Sequence, residues 1–168
     1  MIQAIVSTFC GEFDAAIADY RRAFALNPNF ALNATFMAWG ESLAGLTSEA
    51  KEHAELALRL SPRDLDLWLG DAYLALLQAS FAEADFEAAK KWGLLAIQMT
   101  PKAPIRRALM IASCIYTDDP EGAAQHAKVL DTFAPDFIPS ILSESMTLYK
   151  MHEHNTLLIE GLRKAGFT

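Results

Sequence analysis

Basic residues are scarce in this chain of 168 residues, which carries 14 lysines and arginines against 21 aspartates and glutamates. The formal net charge is −7, and the isoelectric point is about 5.0. A protein that grips a phosphate backbone needs a positively charged face. We therefore predict that nucleic acid is not a partner.

Long apolar runs are also missing, although 52% of the residues are hydrophobic and the mean hydropathy is +0.15. The longest apolar run, residues 108–116, is too short to cross a bilayer. The first ten residues are apolar but lack the basic start of a signal peptide. These absences predict a soluble protein with no membrane insertion.

Cysteine is rare as well, with only Cys10 and Cys114 in the chain. Each lies among apolar residues, so we expect two buried, reduced thiols. Reduced thiols are typical of a cytoplasmic protein, which is the location that we predict.

Sequence motifs of catalytic and metal-binding sites are absent. The sequence has no glycine-rich phosphate loop, no nucleophile elbow and no helical zinc motif. His152 and His154 flank Glu153, but two histidines at this spacing diverge on a helix. We predict no catalytic residue, no cofactor and no metal site.

What the sequence does contain is a repeat marked by four prolines, Pro28, Pro62, Pro101 and Pro135, which are separated by 34, 39 and 34 residues. Side chains that are mostly small recur at fixed distances before each proline. A large apolar residue also comes two positions before each proline. The recurring residues are Ala16, Tyr20, Ala23 and Leu26; Ala50, Ala54, Ala57 and Leu60; Ala89, Gly93, Ala96 and Met99; and Ala123, Ala127, Leu130 and Phe133.

The spacing predicts pairs of packed helices. Steps of four and three place the small residues on one stripe of a helix, where a second helix can approach closely. Each proline ends its helix and begins a turn. A further apolar helical segment follows each one, at residues 32–44, 65–79, 105–116 and 138–149. The predicted repeat units are therefore residues 1–28, 29–62, 63–101 and 102–135, and residues 136–168 form a cap.

This pattern, together with Ala38, Trp68 and Ala72 in the first helices, resembles the tetratricopeptide repeat (TPR) family over nearly the whole chain. The resemblance implies an all-α, right-handed superhelix of about four helix-turn-helix repeats in a single domain, closed by a C-terminal capping helix pair. In that family the first helices line a concave surface that binds a peptide or protein segment.

The sequence departs from the family pattern at three places. The first helix is short, residues 2–9, so we expect the chain to be a fragment of a longer protein. The third unit carries five extra residues near 78–84, which predicts a longer first helix followed by a larger loop. The last pair, residues 138–149 and 153–165, lacks the small stripe and carries Leu157 instead, as expected of a cap.

By the family's geometry, the concave surface is predominantly apolar and aromatic. Its predicted partner-binding residues are Leu32, Thr35, Phe36, Trp39, Ser42, Leu43, Asp66, Leu69, Tyr73, Leu76, Leu77, Ala108, Leu109 and Ala112. Thr35 and Trp39 stand where a clamp for the acidic tails of chaperones would need lysine and asparagine, so no such clamp is predicted. The groove either binds an apolar partner segment, is filled by the chain itself, or is covered by a second copy.

One carboxylate lies at an unusual position. Asp71 follows Trp68 by three residues, where the family places a large apolar core residue. A carboxylate buried there needs a partner, and Arg106 or Arg107 on the neighbouring first helix could supply it. The alternative is a rotated helix that leaves Asp71 in water.

The predicted function is a non-catalytic scaffold for protein interactions. The ending LLIEGLRKAGF, residues 157–167, is similar to the carboxyl end of bacterial class III adenylate cyclases with TPR tails. That resemblance implies a regulatory tail whose catalytic domain lies upstream. A freestanding TPR adaptor is the alternative, and an enzyme is a third possibility, one that the apolar groove disfavours.

Overall fold

The structure is a computed structural model that describes residues 1–61 and 68–168. Within these ranges the chain forms ten α-helices and no β-strand. The helices are α1 (Ile2–Phe9), α2 (Phe13–Leu26), α3 (Ala31–Ala44), α4 (Thr47–Leu60), α5 (Leu69–Ala82), α6 (Phe86–Met99), α7 (Pro104–Tyr116), α8 (Pro120–Asp131), α9 (Phe137–Leu142) and α10 (His152–Lys164). None of these helices is both long enough and apolar enough to span a membrane.

The helices stack as a repeating array. Each of the first seven helices packs against the next one in the chain, and α1, α3, α5 and α7 also pack against one another in order. This arrangement of nested helix pairs confirms the predicted all-α, TPR-type solenoid. The first helices of the pairs share one side of the array, which is the concave side on which the candidate site lies.

The small-residue stripes are the contacts between these helices. Ala50, Ala54 and Ala57 of α4 are completely buried, and a Cβ on Gly93 of α6 would lie only 2.2 Å from the Met110 sulfur. Side chains this short let neighbouring backbones approach, as the spacing predicts. Gly45 ends α3 with φ of 85°, a left-handed conformation that glycine adopts without strain.

The larger loop that we expected after the first helix of the third unit is not present in the part of the chain that the structure describes. Helices α3 and α5 both contain 14 residues, and only residues 83–85 separate α5 from α6. Residues 80–82 continue the helix because Phe81 is completely buried in the core. The predicted start of this helix at residue 65 lies outside the described residues.

The predicted cap is also only partly right. The helix expected over residues 138–149 ends at Leu142. Serine hydroxyls interrupt it, since Ser145 Oγ donates a hydrogen bond to the Ser140 carbonyl oxygen at 2.9 Å, and Glu144 adopts a left-handed φ of 57°. Serine side chains compete in this way for backbone groups that a helix would use. Residues 143–151 are therefore not helical, and we name them the crossing segment.

The other half of the cap forms within one residue of the predicted bounds, as α10. This helix packs against α7 and buries Leu158 and Leu162. A Cβ on Gly161 would lie 2.7 Å from Ala112 Cβ and 3.2 Å from its Cα. The close approach that this glycine permits lets α10 cover the last full repeat, as a terminal repeat must.

Candidate functional site

A groove with a volume of about 910 Å³ lies on the concave side of the array. All four first helices contribute to it, as the family resemblance implies. Helices α1 and α3 contribute Ile2, Ile5, Thr8, Phe9, Leu32, Phe36, Trp39 and Leu43. The rest of the lining consists of Met1, Trp68, Asp71, Leu74, Gln78, Ala103, Ile105, Arg106 and Phe137, with residues 145–148 of the crossing segment.

The open end of this groove, which is formed by α1 and the start of α3 and α5, exposes large apolar side chains. Ile2 is 80% exposed, Phe9 is 79% exposed and Trp68 is 47% exposed. The Phe9 ring lies 5.6 Å from Trp39, and Phe36 lies 5.5 Å from Trp68. The result is a continuous aromatic surface in contact with water, a feature that typically marks an interaction site.

The other end of the groove is covered by the crossing segment. Tyr149 of this segment is only 1% exposed, packs with Leu43 and Leu77, and donates its hydroxyl to the Gln78 carbonyl oxygen at 3.4 Å. Burial raises the pKa of Tyr149. The Lys150 backbone N–H donates to the Leu43 carbonyl oxygen at 2.8 Å. The chain thus fills this covered end with its own residues.

Polar contacts fix the crossing segment in place. The Asn155 side-chain oxygen accepts hydrogen bonds from the backbone N–H groups of Leu148, at 3.1 Å, and Tyr149, at 3.0 Å. Its side-chain nitrogen donates to the Tyr149 carbonyl oxygen at 2.7 Å. Lys150 Nζ lies 2.5 Å from Asp14 Oδ1. The segment is therefore attached to α10 on one side and to α2 and α3 on the other.

The predicted concave residues divide into groups. Leu32, Phe36, Trp39 and Leu43 line the groove, and Asp66 lies outside the described residues. The others do not line it. Eight are buried between helices: Thr35, Ser42, Leu69, Leu76, Leu77, Ala108, Leu109 and Ala112. Tyr73 is directed elsewhere and stacks on Trp92 with ring centroids 6.2 Å apart.

The errors on α5 and α7 have separate causes. On α5 the groove-lining residues are Asp71, Leu74 and Gln78, which are offset by one or two positions from those predicted. One position rotates a side chain by about 100° around the helix axis. On α7 the predicted surface is covered, because α10 packs against this helix.

Several groove-lining residues escaped the prediction. On α1 the signal was available, because Ile2, Ile5 and Phe9 recur at steps of three and four and form one apolar helix face. The contribution of the crossing segment has no such signal, since its position depends on contacts with α3 and α5 that are distant in sequence.

Asp71 forms the ion pair that we predicted. Arg106 Nη2 donates to Asp71 Oδ1 at 2.6 Å. The Arg106 side chain is 3% exposed, whereas that of Asp71 is 30% exposed. Burial raises the pKa of Asp71 and lowers that of Arg106, and the attraction between the two charges opposes both shifts. Arg107, the other candidate, instead contacts His126 Nδ1 at 3.2 Å.

The two cysteines differ. Cys114 is buried, as predicted, whereas Cys10 is exposed and the prediction is wrong for it. Cys10 follows the last residue of α1, where the chain turns at the surface. Burial raises the pKa of Cys114 to about 11, so this thiol stays protonated and unreactive near neutral pH.

The described parts of the chain contain no group of acidic, histidine or cysteine side chains arranged to hold a metal ion. Residues 6–30 match the sequence model of the tetratricopeptide repeat. No curated protein sequence matches this chain.

The fold is that of a TPR-type helical solenoid. Among solved structures, the crystal structure of MamA is similar, with a TM-score of 0.64 over 96% of this chain and 91% of that one. The two sequences are 19% identical, so this likeness concerns the fold.

Proposed function

We propose that this protein is a non-catalytic scaffold that binds a segment of a partner protein in the open end of its groove. The observation that carries the proposal is the exposure of Ile2, Phe9 and Trp68 around a concave surface. Aromatic side chains grouped in a concave pocket are the usual source of binding energy at protein interfaces. The TPR-type fold, which generally mediates protein interactions, supports the same proposal.

The structure favours a partner segment over complete self-filling of the groove. The crossing segment covers Leu43 and Leu77 but leaves the aromatic surface around Phe36 uncovered. A second copy of the chain is the remaining alternative occupant. Neither reading involves nucleic acid or a chaperone-tail clamp, because Asp71 and Arg106 are the charged residues among the described groove lining and they neutralise each other.

Peptide selection from a random display library, followed by calorimetry with purified peptides, tests the proposal. We expect Trp39→Ala and Phe36→Ala to weaken selected peptides about tenfold or more, as for aromatic hot spots. Tyr73→Ala is the matched control, since its ring stacks on Trp92 outside the groove, and it should leave the affinity unchanged. Equal binding by all variants would contradict the proposal, as would a concentration-dependent dimer that masks Trp39.

A more specific function rests on the end of the chain. Residues 157–167, which resemble the tails of bacterial class III adenylate cyclases, lie in and just after the helix that caps the array. We propose that the scaffold regulates or localises such a cyclase. The gene sequence upstream of Met1 tests this directly. An in-frame cyclase domain supports the proposal, and an independent start site supports the freestanding adaptor instead.

The proposal includes a cytoplasmic location. Both cysteines are free, and Cys10 is exposed to solvent. Exposed thiols persist in a reducing compartment. Labelling of Cys10 by a membrane-impermeant thiol reagent in intact cells would contradict this placement, whereas labelling only after lysis supports it.

A further inference from the structure

Among the described side chains that line the open end of the groove, charge occurs at a single place, the pair formed by Asp71 and Arg106. The two members of this pair are not equally accessible. The Asp71 side chain is 30% exposed, whereas that of Arg106 is 3% exposed. The groove surface therefore displays the carboxylate, and most of the guanidinium lies within the protein.

The Asp71 carboxylate retains the capacity to accept further hydrogen bonds. Its Oδ1 atom accepts from Arg106, and no described residue donates to Oδ2. A carboxylate has about four acceptor positions. The net charge of −7 adds a long-range field that favours a cationic partner over an acidic one.

The crossing segment carries a lysine close in sequence to its groove-lining residues 145–148. There Leu148, Tyr149 and Met151 flank Lys150, whose ammonium group lies 2.5 Å from Asp14 Oδ1. The Lys150 backbone N–H donates to the Leu43 carbonyl oxygen. The crossing segment therefore joins groove-lining residues to a lysine that pairs with an acidic residue outside the groove lining, where the Asp14 side chain is 89% exposed.

We propose that the open end binds an extended protein segment in which apolar side chains flank one lysine or arginine, and that this cation contacts Asp71. The inference rests on the proposed function and adds the charge that the partner must carry. A segment with a carboxylate in place of this cation is repelled, because Asp71 is the more exposed member of the ion pair. The rival ligand is an acidic segment that reaches Arg106, whose Nε atom is buried without a described partner.

Three synthetic peptides provide the test. The first copies residues 145–151, SMTLYKM, with blocked ends, and the other two replace its lysine with norleucine or with glutamate. Fluorescence anisotropy then measures their binding to the full chain. We expect the lysine peptide to bind about fivefold more tightly than the norleucine peptide, because a charged hydrogen bond forms at a partly exposed site. The glutamate peptide should bind most weakly.

Variants of the protein show which carboxylate causes the preference for the lysine peptide. Asp71→Asn should abolish the preference for lysine, whereas Asp14→Asn should retain it. Preference that depends on Asp14 instead would show that the peptide exchanges with the crossing segment, and would overturn the inference. The wild-type comparison of the three peptides needs no mutation, so it stays decisive if Asp71→Asn folds poorly.

The remaining outcomes separate the inference from the proposed function. Equal binding of all three peptides, lost in Trp39→Ala, would overturn the charge preference and support an apolar binding groove. Preference for the glutamate peptide, or no binding of any peptide, would also overturn the inference. In those cases the library selection judges the proposed function independently.

Discussion

The two ends of the groove are built from the same kind of helix pair, but their apolar side chains differ in how far they are exposed to solvent. At the covered end Tyr149 is 1% exposed and packs with Leu43 and Leu77. At the open end Ile2 and Phe9 are 80% and 79% exposed. The repeat therefore makes a concave surface, and non-repetitive residues after the last repeat decide how much of it a partner can reach. Four changes test this contrast.

The largest effect is expected at the covered end, from Tyr149→Ala. Removing a fully buried aromatic ring leaves a cavity, so the free energy of unfolding should fall by about 3–5 kcal/mol. Urea denaturation followed by circular dichroism measures this loss. Tyr149→Phe, which keeps the ring, should cost about 1 kcal/mol or less because it removes one long hydrogen bond.

Phe36→Ala provides the matched change at the open end, where the ring is only partly buried. It should cost about 1–2 kcal/mol, because less apolar surface returns to water. Equal losses for Tyr149→Ala and Phe36→Ala would mean that the crossing segment is not part of the folded core, and the contrast between the two ends would fail.

An effect similar to that of Phe36→Ala is expected at the floor of the open end, from Asp71→Leu. The change leaves Arg106 buried without its counter-charge. The expected loss is about 2 kcal/mol, below the 3–5 kcal/mol of a fully buried pair, because the Asp71 side chain is 30% exposed. Thermal and urea denaturation of the purified variant measure it.

The double variant Asp71→Leu with Arg106→Met serves as the control for this pair. Since it removes both charges, it should recover to within about 1 kcal/mol of the wild type. A higher melting temperature for Asp71→Leu alone would show that the pair does not stabilise the fold.

The smallest effect concerns the back of α3, which both ends share. His53 Nδ1 lies 2.7 Å from the buried Glu41 carboxylate, and this hydrogen bond raises the pKa of His53. The stabilisation is therefore fully present below the unfolded-state pKa of about 6.5 and is lost as the pH rises through the higher folded-state value. The stability difference between wild type and His53→Gln should shrink between about pH 5.5 and pH 8.

His126 and His154 titrate in the opposite sense, because burial lowers the pKa of each. Their contribution to stability is lost as the pH falls below about 6.5. Both histidines are present in wild type and in His53→Gln, so the stability difference between these two proteins reports on His53. A stability difference that stays constant across this pH range would contradict the proposed role of His53. As a control, peptide binding in the groove should not change in His53→Gln.

Much of the fold followed from local spacing in the sequence. The bounds of α1 and the buried alanines of α4 were predictable because they depend on residues three and four positions apart. The ion pair of Asp71 with Arg106 was predictable too, because stacked first helices bring those positions together.

The candidate site was harder to predict because it depends on where the repeat changes. On α5 the groove-lining residues are Asp71, Leu74 and Gln78, one or two positions away from those predicted. The crossing segment was mistaken for helix because its apolar residues have helical spacing, although the serines from Ser140 to Ser145 bind backbone groups instead. Its place over α3 and α5 depends on contacts between residues up to 136 positions apart.

The contact between Lys150 and Asp14 changes the mechanics of the whole array. In an ordinary solenoid each repeat touches only its neighbours, so the terminal repeats can melt separately. Here the crossing segment, which follows the last repeat, contacts α2 and α3 near the beginning of the chain. In a linear stack these regions would not touch. We therefore expect loss of the crossing segment to destabilise α2 and α3 as well, so that the two ends of the array unfold together.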